Sequence, residues 1–536
     1  MKKSHLACIA SALILAAGCA GTTTNTPSKT EVTDFVPTTQ DSYPIETDYT
    51  LDYWVAIPGP VASYTGSMND LPLHDMLEEA TGVSINFMHP PVGQQTEAFN
   101  LMIASMDLPD LIESSWLTYP GGAQKAIDEK IILNLDPYIE KVSPNFKKLM
   151  EERPEVKTQC TTDSNSYFAY PFILGDERLA TYMGFILRQD LLDAAGLEAP
   201  VTIEDWDKVL RSFKEQGVEI PLSIRLGEAY YRMVSPFAGC YGIVNDFFHD
   251  GDTVKYGPYC PEFRDYITQL SIWYKDGILD NNFNNLEGAS YNSNMINGNI
   301  GATFCTCGGE FGKWLQALDG TDSKVNLVPV SYPTKEAGTR PMTGQKNQPL
   351  LNVCTAISTQ CENPEVAVRF LDYGYSEEGH MLYNFGKENV SYTMVDGEPI
   401  YTPEIVDTEK NGGIAVNQAM SKYLRAYSDG PFVQDVRYSN QYMTNPIQRE
   451  ALTLWSDTDA TVYSMPYMSM TEEESDEYSK IMQDITTYEM EMVNKFIAGV
   501  EPIENFDKYY ETLKSMGIED AIRLKQQAYD RFKNKN

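Results

Sequence analysis

Strand-like and helix-like hydrophobic patterns alternate near the start of the folded chain. Residues 51–57 alternate in hydrophobicity as a half-buried strand does, and residues 73–80 follow helical spacing before residues 83–87 alternate again. A second helical segment at 99–103 leads through a turn into a third short strand at 111–112. Strand, helix, strand, helix, strand is the order of a parallel sheet with helices on its faces, so the sequence predicts an α/β fold.

The same pattern returns near the middle of the 536-residue chain, which is long enough for more than one domain-sized core. Residues 185–187 predict a short buried strand, and Asp190 begins a helix that Gly196 ends. Thr202 is predicted to cap a further helix, whose apolar residues recur at the spacing of one helix face. These apolar residues are Trp206, Val209, Leu210 and Phe213. The sequence therefore predicts a second α/β unit, with Trp206 in its core.

The N-terminus carries the pattern of a bacterial secretory signal. Lys2 and Lys3 precede an apolar run at 6–17, which is shorter than the roughly 20 residues of a membrane-spanning helix. Cys19 directly follows Ala-Ala-Gly, and this arrangement resembles the lipobox of bacterial lipoproteins. We therefore predict a signal peptide over residues 1–18 and a lipidated N-terminal cysteine. An ordinary secreted protein with a chance cysteine is the alternative.

Residues 19–48 are rich in Thr, Ser, Pro and Asp and have no apolar period, so they are predicted to form a flexible tether. The predicted location is the extracellular face of the cell membrane, with the lipid as the only membrane anchor. The formal net charge of −35 repels nucleic acid and anionic lipid headgroups. Nucleic acid is therefore excluded as a partner.

Seven cysteines remain once Cys8 and Cys19 are assigned to the signal peptide and the lipid. Their odd number does not suit a complete disulfide framework. Buried free thiols, one or two disulfides, and a metal site are the alternatives that the sequence leaves open. Cys305 and Cys307 are separated by one residue, which is closer than the usual spacing of a zinc-binding pair.

Short segments spread over the mature chain carry a family resemblance. They are LEEATGV at 77–83, FNLMIAS at 99–105, DLPD at 107–110, LDPYI at 135–139, SPN at 143–145, RQDLLD at 188–193 with GL at 196–197, NPEVA at 363–367, and SEEG at 376–379. In this order and spacing, the chain resembles the family 1 extracellular solute-binding lipoproteins of carbohydrate ABC importers. The resemblance is greatest to the large oligosaccharide-binding lipoproteins of Gram-positive bacteria.

The resemblance implies a two-lobe, periplasmic-binding-protein-like fold of type II, with a ligand cleft between lobes that hinge segments join. The implied boundaries are 49–180 plus 330–385 for lobe 1 and 181–329 plus 386–536 for lobe 2. Such a protein captures an extracellular oligosaccharide by closure of the lobes and delivers it to the transmembrane subunits of an ABC permease. It acts as a monomer and is not an enzyme.

The resemblance also bears on calcium, because many relatives carry a calcium loop rich in Asp, Asn and Gly. Here residues 213–217 lead straight into residues 218–222, and that loop is absent. The oxygen-rich run at 280–284 lacks both the Gly at the sixth loop position and the acid at the twelfth. We therefore predict neither calcium nor another cofactor.

Sugar recognition needs aromatic faces for the C–H faces of pyranose rings and polar partners for the hydroxyls, because a buried unpaired polar group costs about 1–3 kcal/mol. Candidates are therefore aromatic and polar residues in loops after predicted strands, where open α/β sheets bind ligands. The predicted ligand-binding residues are Trp116, Tyr119, Tyr230, Tyr231, Arg232, Phe304, Glu310, Trp314, Arg340 and Gln345. A core or surface position is the alternative for each of them. Trp54 and Trp273 are predicted to be core residues.

Two other functions stay open at this level. A lipid-anchored glycoside hydrolase needs two cleft carboxylates about 5–10 Å apart, and such a pair leaves no local sequence signature. The chain contains none of the motifs G-x-S-x-G, H-E-x-x-H or the P-loop. A peptide-binding or sensor subunit on the same fold is the second alternative, because a fold does not determine its ligand.

Overall fold

The computed structural model describes residues 36–37, 42–284, 288–407, 409–443 and 445–535. The predicted signal peptide, Cys19 and most of the predicted tether lie outside these ranges. Within them, we find no helix with both the length and the apolar character needed to cross a bilayer.

The described residues form fourteen strands and twenty-three α-helices. The strands are β1 (Thr50–Trp54), β2 (Ser84–Met88), β3 (Leu111–Ser114), β4 (Tyr170–Leu174), β5 (Met183–Arg188), β6 (Ile220–Ser223), β7 (Phe247–Asp250), β8 (Thr253–Tyr256), β9 (Ile300–Thr306), β10 (Leu327–Val330), β11 (Leu350–Ile357), β12 (Tyr392–Val395), β13 (Glu398–Tyr401) and β14 (Val433–Gln434). The helices are α1 (Gly59–Ala62), α2 (Pro72–Thr81), α3 (Gln95–Ser105), α4 (Gly122–Asp128), α5 (Asp136–Val142), α6 (Pro144–Glu152), α7 (Pro154–Cys160), α8 (Gln189–Ala195), α9 (Ile203–Glu215), α10 (Glu228–Val234), α11 (Phe263–Lys275), α12 (Gly288–Ile296), α13 (Gly312–Leu318), α14 (Pro364–Tyr373), α15 (Glu377–Phe385), α16 (Pro403–Val406), α17 (Val416–Met420), α18 (Val436–Tyr442), α19 (Pro446–Ser456), α20 (Ala460–Tyr463), α21 (Glu472–Ile497), α22 (Phe506–Ser515) and α23 (Ile518–Lys535).

A six-stranded sheet in the order β14-β4-β11-β3-β1-β2 organises the first part of the fold. β1 pairs in parallel with β2 and with β3, and Tyr53 lies opposite both Phe87 and Leu111. This confirms the strand and helix order predicted for the start of the folded chain. Because these three strands are parallel, their carboxyl ends meet at one edge of the sheet, and the loops that follow them lie side by side.

A four-stranded sheet in the order β10-β5-β9-β6 organises the second part. Helix α9 packs on it, and Trp206 of that helix is fully buried, as predicted. The side chain of Thr202 accepts a hydrogen bond from the backbone N–H of Asp205, and the Asp205 carboxylate reaches back to the N–H of Thr202. This capping box fixes the start of α9, and a left-handed Gly196 ends α8.

The chain crosses between the two sheets after β4, after β10 and after β14. Each sheet with its helices is one lobe of a two-lobe, periplasmic-binding-protein-like fold, and we call these the first and second lobes. The predicted boundaries placed 386–536 in the second lobe, but Val433 of β14 pairs with Ile173 of β4 in the first sheet. That boundary therefore lies later in the chain, while the other boundaries remain a prediction.

The predicted tether also ends earlier than residue 48. Ile45 is 5% exposed, and its N–H donates to the carbonyl oxygen of Thr81 at 2.7 Å. Tyr43 donates its hydroxyl to the carbonyl oxygen of Arg369 at 2.7 Å. These two hydrogen bonds, with the buried Ile45 side chain, attach the segment around residues 43–45 to the first lobe.

The seven cysteines among the described residues are free thiols, and all but Cys260 are buried. Burial raises the pKa of Cys307 to about 12, so its thiol stays protonated. No group of three or more His, Cys, Asp or Glu side chains in the described ranges is placed to hold a metal ion. Asp280, from the oxygen-rich run, instead accepts a hydrogen bond from the hydroxyl of Ser223 at 2.8 Å.

Candidate functional site

A cavity of about 710 Å³ opens in the first lobe at the carboxyl ends of β1 and β3. Trp54 comes from the end of β1, Phe99 from α3, and Tyr119 from the segment after β3. We call it the β1–β3 cavity. The sequence analysis placed Tyr119 at such a strand end, and the structure places it in the wall of this cavity.

Aromatic side chains form one wall of the β1–β3 cavity and the layer beneath it. The ring centroids of Trp54 and Phe99 lie 6.0 Å apart, and Trp116 lies 5.5 Å from Phe99 and 5.9 Å from Tyr119. Trp116 is fully buried and donates its indole N–H to the carbonyl oxygen of Ile112 at 3.0 Å. The prediction that Trp116 contacts a ligand directly is therefore corrected, since it supports the two rings that line the cavity.

Three charged residues line the same cavity. Arg425 donates to both carboxylate oxygens of Glu113, at 2.8 and 3.2 Å, and both side chains are buried. Tyr53 donates its hydroxyl to Glu113 at 2.5 Å. Asp429 lies nearby, where burial, with a smaller contribution from Glu113, raises the pKa of its carboxyl to about 6. Glu113 is thus held in a charge-assisted pair, whereas Asp429 faces the cavity.

The second lobe contributes polar and aromatic groups. Arg225 forms an ion pair with Glu310 at 2.9 Å, and its guanidinium lies 4.3 Å from the centre of the Tyr230 ring. Tyr182, directly before β5, is 36% exposed. Burial raises the pKa of Tyr182, with smaller contributions from Tyr230 and from Asp429. Tyr182 therefore lies within electrostatic reach of Asp429 of the first lobe and Tyr230 of the second.

A second cavity of about 440 Å³ is lined from both lobes. Gly308, Gly309 and Lys313 line it from the second lobe, and Ala415 and Asn417 line it from the side of the first. Polar groups and small residues thus border the space between the lobes at this cavity.

Gln345 lies at the crossings between the lobes and is almost fully buried. Its side-chain oxygen accepts from the N–H of Tyr182 at 2.7 Å, and its amide donates to the carbonyl oxygen of Ala180 at 3.1 Å and to Asn347 at 3.0 Å. The predicted ligand contact is thus replaced by contacts that join two crossing segments. Gln345 thus holds the crossing segments around residues 180–182 and 345–347 together.

Three other predicted ligand-binding side chains belong to the core of the second lobe. Tyr231 and Trp314 are fully buried, and Phe304 is 4% exposed. Trp314 donates its indole N–H to the side-chain oxygen of Asn292 at 2.7 Å, and the Phe304 ring packs 5.5 Å from that of Phe185. These residues have almost no surface to offer, so the prediction of ligand contact is corrected for all three.

Two predicted arginines have partners away from the β1–β3 cavity. Arg232 forms an ion pair with the buried Glu489 at 3.2 Å. Arg340 lies on the surface and pairs with Asp457 at 2.8 Å and Asp459 at 2.7 Å. The structure therefore gives both arginines a structural role. Of the ten predicted residues, Tyr119 lines the β1–β3 cavity, and Tyr230 and Glu310 lie together with Arg225.

The sequence analysis missed several residues that the fold brings together. Glu113 directly follows the predicted strand at 111–112 and could have been chosen on that ground. Arg425 and Asp429 are more than 300 residues away in the chain, and no local pattern marks them. Trp54 is a buried core residue, as predicted, and at 9% exposure it also borders the cavity.

The two α/β lobes, with a cavity lined by residues of both, are the arrangement of two-lobe solute-binding folds. Residues 71–381 match the profile of the family described as bacterial extracellular solute-binding protein. Because this match covers more than half of the chain, the protein belongs to that family.

Curated relatives cover most of the chain. It is 25% identical over 504 residues to the fructooligosaccharide ABC transporter substrate-binding protein FusA of Streptococcus pneumoniae serotype 4, covering 86% of this chain and 87% of FusA. It is also 23% identical over 362 residues to lipoprotein LipO of Bacillus subtilis strain 168, covering 64% of this chain and 68% of LipO.

Solved structures share the fold at low sequence identity. The alginate-binding protein AlgQ2, without calcium ion, superposes with a TM-score of 0.73 at 22% identity over 90% of this chain and 99% of AlgQ2. FusA in complex with kestose gives a TM-score of 0.71 at 20% identity over 91% of this chain and all of that chain. Both confirm the predicted periplasmic-binding-protein-like fold.

Proposed function

We propose that this protein binds an extracellular oligosaccharide between its two lobes and delivers it to the transmembrane subunits of an ABC importer. The observation that carries the proposal is the β1–β3 cavity, whose aromatic wall lies beside hydrogen-bond acceptors. Trp54, Phe99 and Tyr119 offer faces for the C–H surfaces of sugar rings, and Asp429 offers an acceptor for hydroxyls. The relative FusA, named for fructooligosaccharide transport, supports the same class of ligand.

The proposal includes the location and state of the protein. Lipid on Cys19 would hold it at the extracellular face of the membrane, and the lipoprotein name of LipO supports this. The body would act as a monomer without calcium or another cofactor. Ligand binding would close the lobes about the segments that Gln345 joins, because a ligand that contacts both lobes stabilises the closed state.

We also propose that the bound sugar is not cleaved. A glycoside hydrolase needs one carboxyl group as proton donor and a second as base or nucleophile. The β1–β3 cavity has two carboxylates, but Glu113 accepts two hydrogen bonds from Arg425 and one from Tyr53. These contacts fix the Glu113 carboxylate in a structural ion pair, which suits it poorly to transfer a proton to a sugar.

A thermal-shift screen of the purified protein against oligosaccharides of two to eight units tests this function, with amino acids and short peptides as controls. A ligand present at 100 times its dissociation constant should add about 2.7 kcal/mol to the free energy of unfolding. An upward shift with one oligosaccharide family would support the proposal. A shift with peptides alone would favour the peptide-binding alternative, and shortened sugars recovered after incubation would favour a hydrolase.

Replacing Tyr119 with Ala should weaken oligosaccharide binding roughly 10- to 100-fold, because the ring provides apolar surface worth about 1.5–3 kcal/mol. Titration calorimetry of the variant and the parent protein measures the change. Tyr259→Ala is the matched control: the hydroxyls of Tyr119 and Tyr259 donate to surface glutamates at 3.1 and 3.2 Å, and Tyr259 lies outside the cavity. If Tyr119→Ala and Tyr259→Ala bound the oligosaccharide with equal affinity, Tyr119 would not be a ligand-binding residue.

A further inference from the structure

The charge of the β1–β3 cavity is set by few residues. Among the described residues that line it, Glu113, Arg425 and Asp429 are charged. Arg425 neutralises Glu113 through two hydrogen bonds, at 2.8 and 3.2 Å. Above pH 6, two carboxylates and one guanidinium leave one negative charge in excess, and it resides on Asp429, whose pKa burial raises to about 6.

Asp429 differs from Glu113 in its contacts. No hydrogen bond from another described residue reaches its carboxylate, and its neighbour Ser428 donates to its backbone carbonyl at 3.4 Å instead. A carboxylate in a protein cavity without donors is unfavourable, and hydroxyl donors of a ligand would relieve it. Asp429 is therefore poised to accept hydrogen bonds from whatever fills the cavity.

The second lobe adds no charged residue to the described lining of this cavity. Its Arg225 is paired with Glu310 at 2.9 Å and lies over the Tyr230 ring. Tyr182, whose pKa is raised in part by the charge of Asp429, offers a hydroxyl group and carries no formal charge. An anionic group that entered here would meet a like charge in a medium of low effective dielectric constant, where repulsion over a few ångströms is strong.

We propose that Asp429 is a specificity-determining residue that selects neutral oligosaccharides: its carboxylate accepts hydrogen bonds from sugar hydroxyls and repels carboxylated or sulfated glycans. The inference rests on the proposed function, because it assumes that the β1–β3 cavity holds the sugar. The inference specifies that the ligand is a neutral oligosaccharide, which the proposed function does not specify.

The test uses pairs of oligosaccharides of equal length and linkage. One member of each pair is the neutral sugar found in the thermal-shift screen, and the other is the same sugar with primary hydroxyls oxidised to carboxylates. Calorimetric titration of the purified protein should give at least about 30-fold weaker binding for the oxidised sugar. Binding of both members within threefold of each other would overturn the inference and leave the proposed function intact.

The variants assign the discrimination to Asp429. Asp429→Asn keeps the shape of the side chain and removes its charge, and the preference for the neutral sugar should fall below about fivefold. Asp429→Ser should also lower the preference below about fivefold. This second variant keeps the test valid if Asp429→Asn fails to fold. A preference that stays near 30-fold in both variants would overturn the role of Asp429.

Asp396→Asn is the matched control for the loss of one negative charge. Asp396 is exposed in the turn between β12 and β13, and its φ of 52° is one that Asn adopts readily. This variant should keep the parent preference, and a loss of preference here would assign the effect to net charge and overturn the inference. If no glycan binds the parent protein at all, the proposed function itself fails.

Discussion

Replacing Arg425 with Met should lower the free energy of unfolding by about 3–5 kcal/mol. Arg425 and Glu113 are both buried, and two hydrogen bonds join them at 2.8 and 3.2 Å. Removal of the guanidinium leaves the Glu113 carboxylate without a counter-charge in the interior of the first lobe. Urea denaturation followed by far-ultraviolet circular dichroism measures the loss.

Two further variants separate this effect from a general loss of charge. Arg264→Met removes a part-exposed surface arginine that pairs with Asp507 at 3.3 Å, and it should change stability by less than about 1 kcal/mol. The double variant Glu113→Gln with Arg425→Met removes both charges, so it should recover at least half of the loss. Equal losses in Arg425→Met and Arg264→Met would contradict the ion-pair account.

Trp116→Ala should also lower the free energy of unfolding by about 3–5 kcal/mol, because it opens a cavity beneath the aromatic wall. Trp116 is fully buried, and its centroid lies 5.5 Å from that of Phe99 and 5.9 Å from that of Tyr119. Oligosaccharide affinity should fall as well, since both rings lose their support. The same urea experiment, combined with calorimetric titration, measures the two effects.

The conservative change Trp116→Phe provides the control. Phe fills much of the same volume, so stability should fall by less than about 2 kcal/mol and affinity should stay within a few-fold of the parent value. If Trp116 contacted the sugar directly, Trp116→Ala would weaken binding and leave stability unchanged. That outcome would contradict its assignment as a buried support.

Local patterns predicted the elements that build the site. The alternating residues at 51–57 and 83–87 overlap the parallel strands β1 and β2, although β1 ends at Trp54, because alternation marks one buried face of a strand. The start of α9 could also be predicted from local sequence, because Thr202 and Asp205, three residues apart, form its capping box. The family resemblance then supplied the two-lobe arrangement, which the fold confirms.

The side chains of the site were harder to predict, because burial depends on residues distant in the chain. Trp116 and Tyr119 follow the same strand and differ by three positions, yet one is buried and the other lines the cavity. Trp116 packs with alanines of α4 and with Cys354 of β11 in one buried cluster, whereas Tyr119 is partly buried at its edge. Arg425 meets Glu113 across 312 positions, and no spacing rule reaches that far.

The boundary errors have a related cause. Tyr43 and Ile45 lie in a polar stretch typical of a linker, and their attachment requires partners at Arg369 and Thr81. Likewise β14 has two residues, too few for any periodicity, and it is defined by its pairing with β4. A local hydrophobic pattern cannot predict short elements whose position depends on partners distant in the chain.

Calorimetric titration of the purified protein with the neutral oligosaccharide found by the screen, followed by chromatography of the recovered sugar, tests the central claim most directly. The account predicts saturable binding of one oligosaccharide per protein, with the sugar recovered intact. Absence of binding heat with every oligosaccharide, or recovery of shortened sugars, would contradict it.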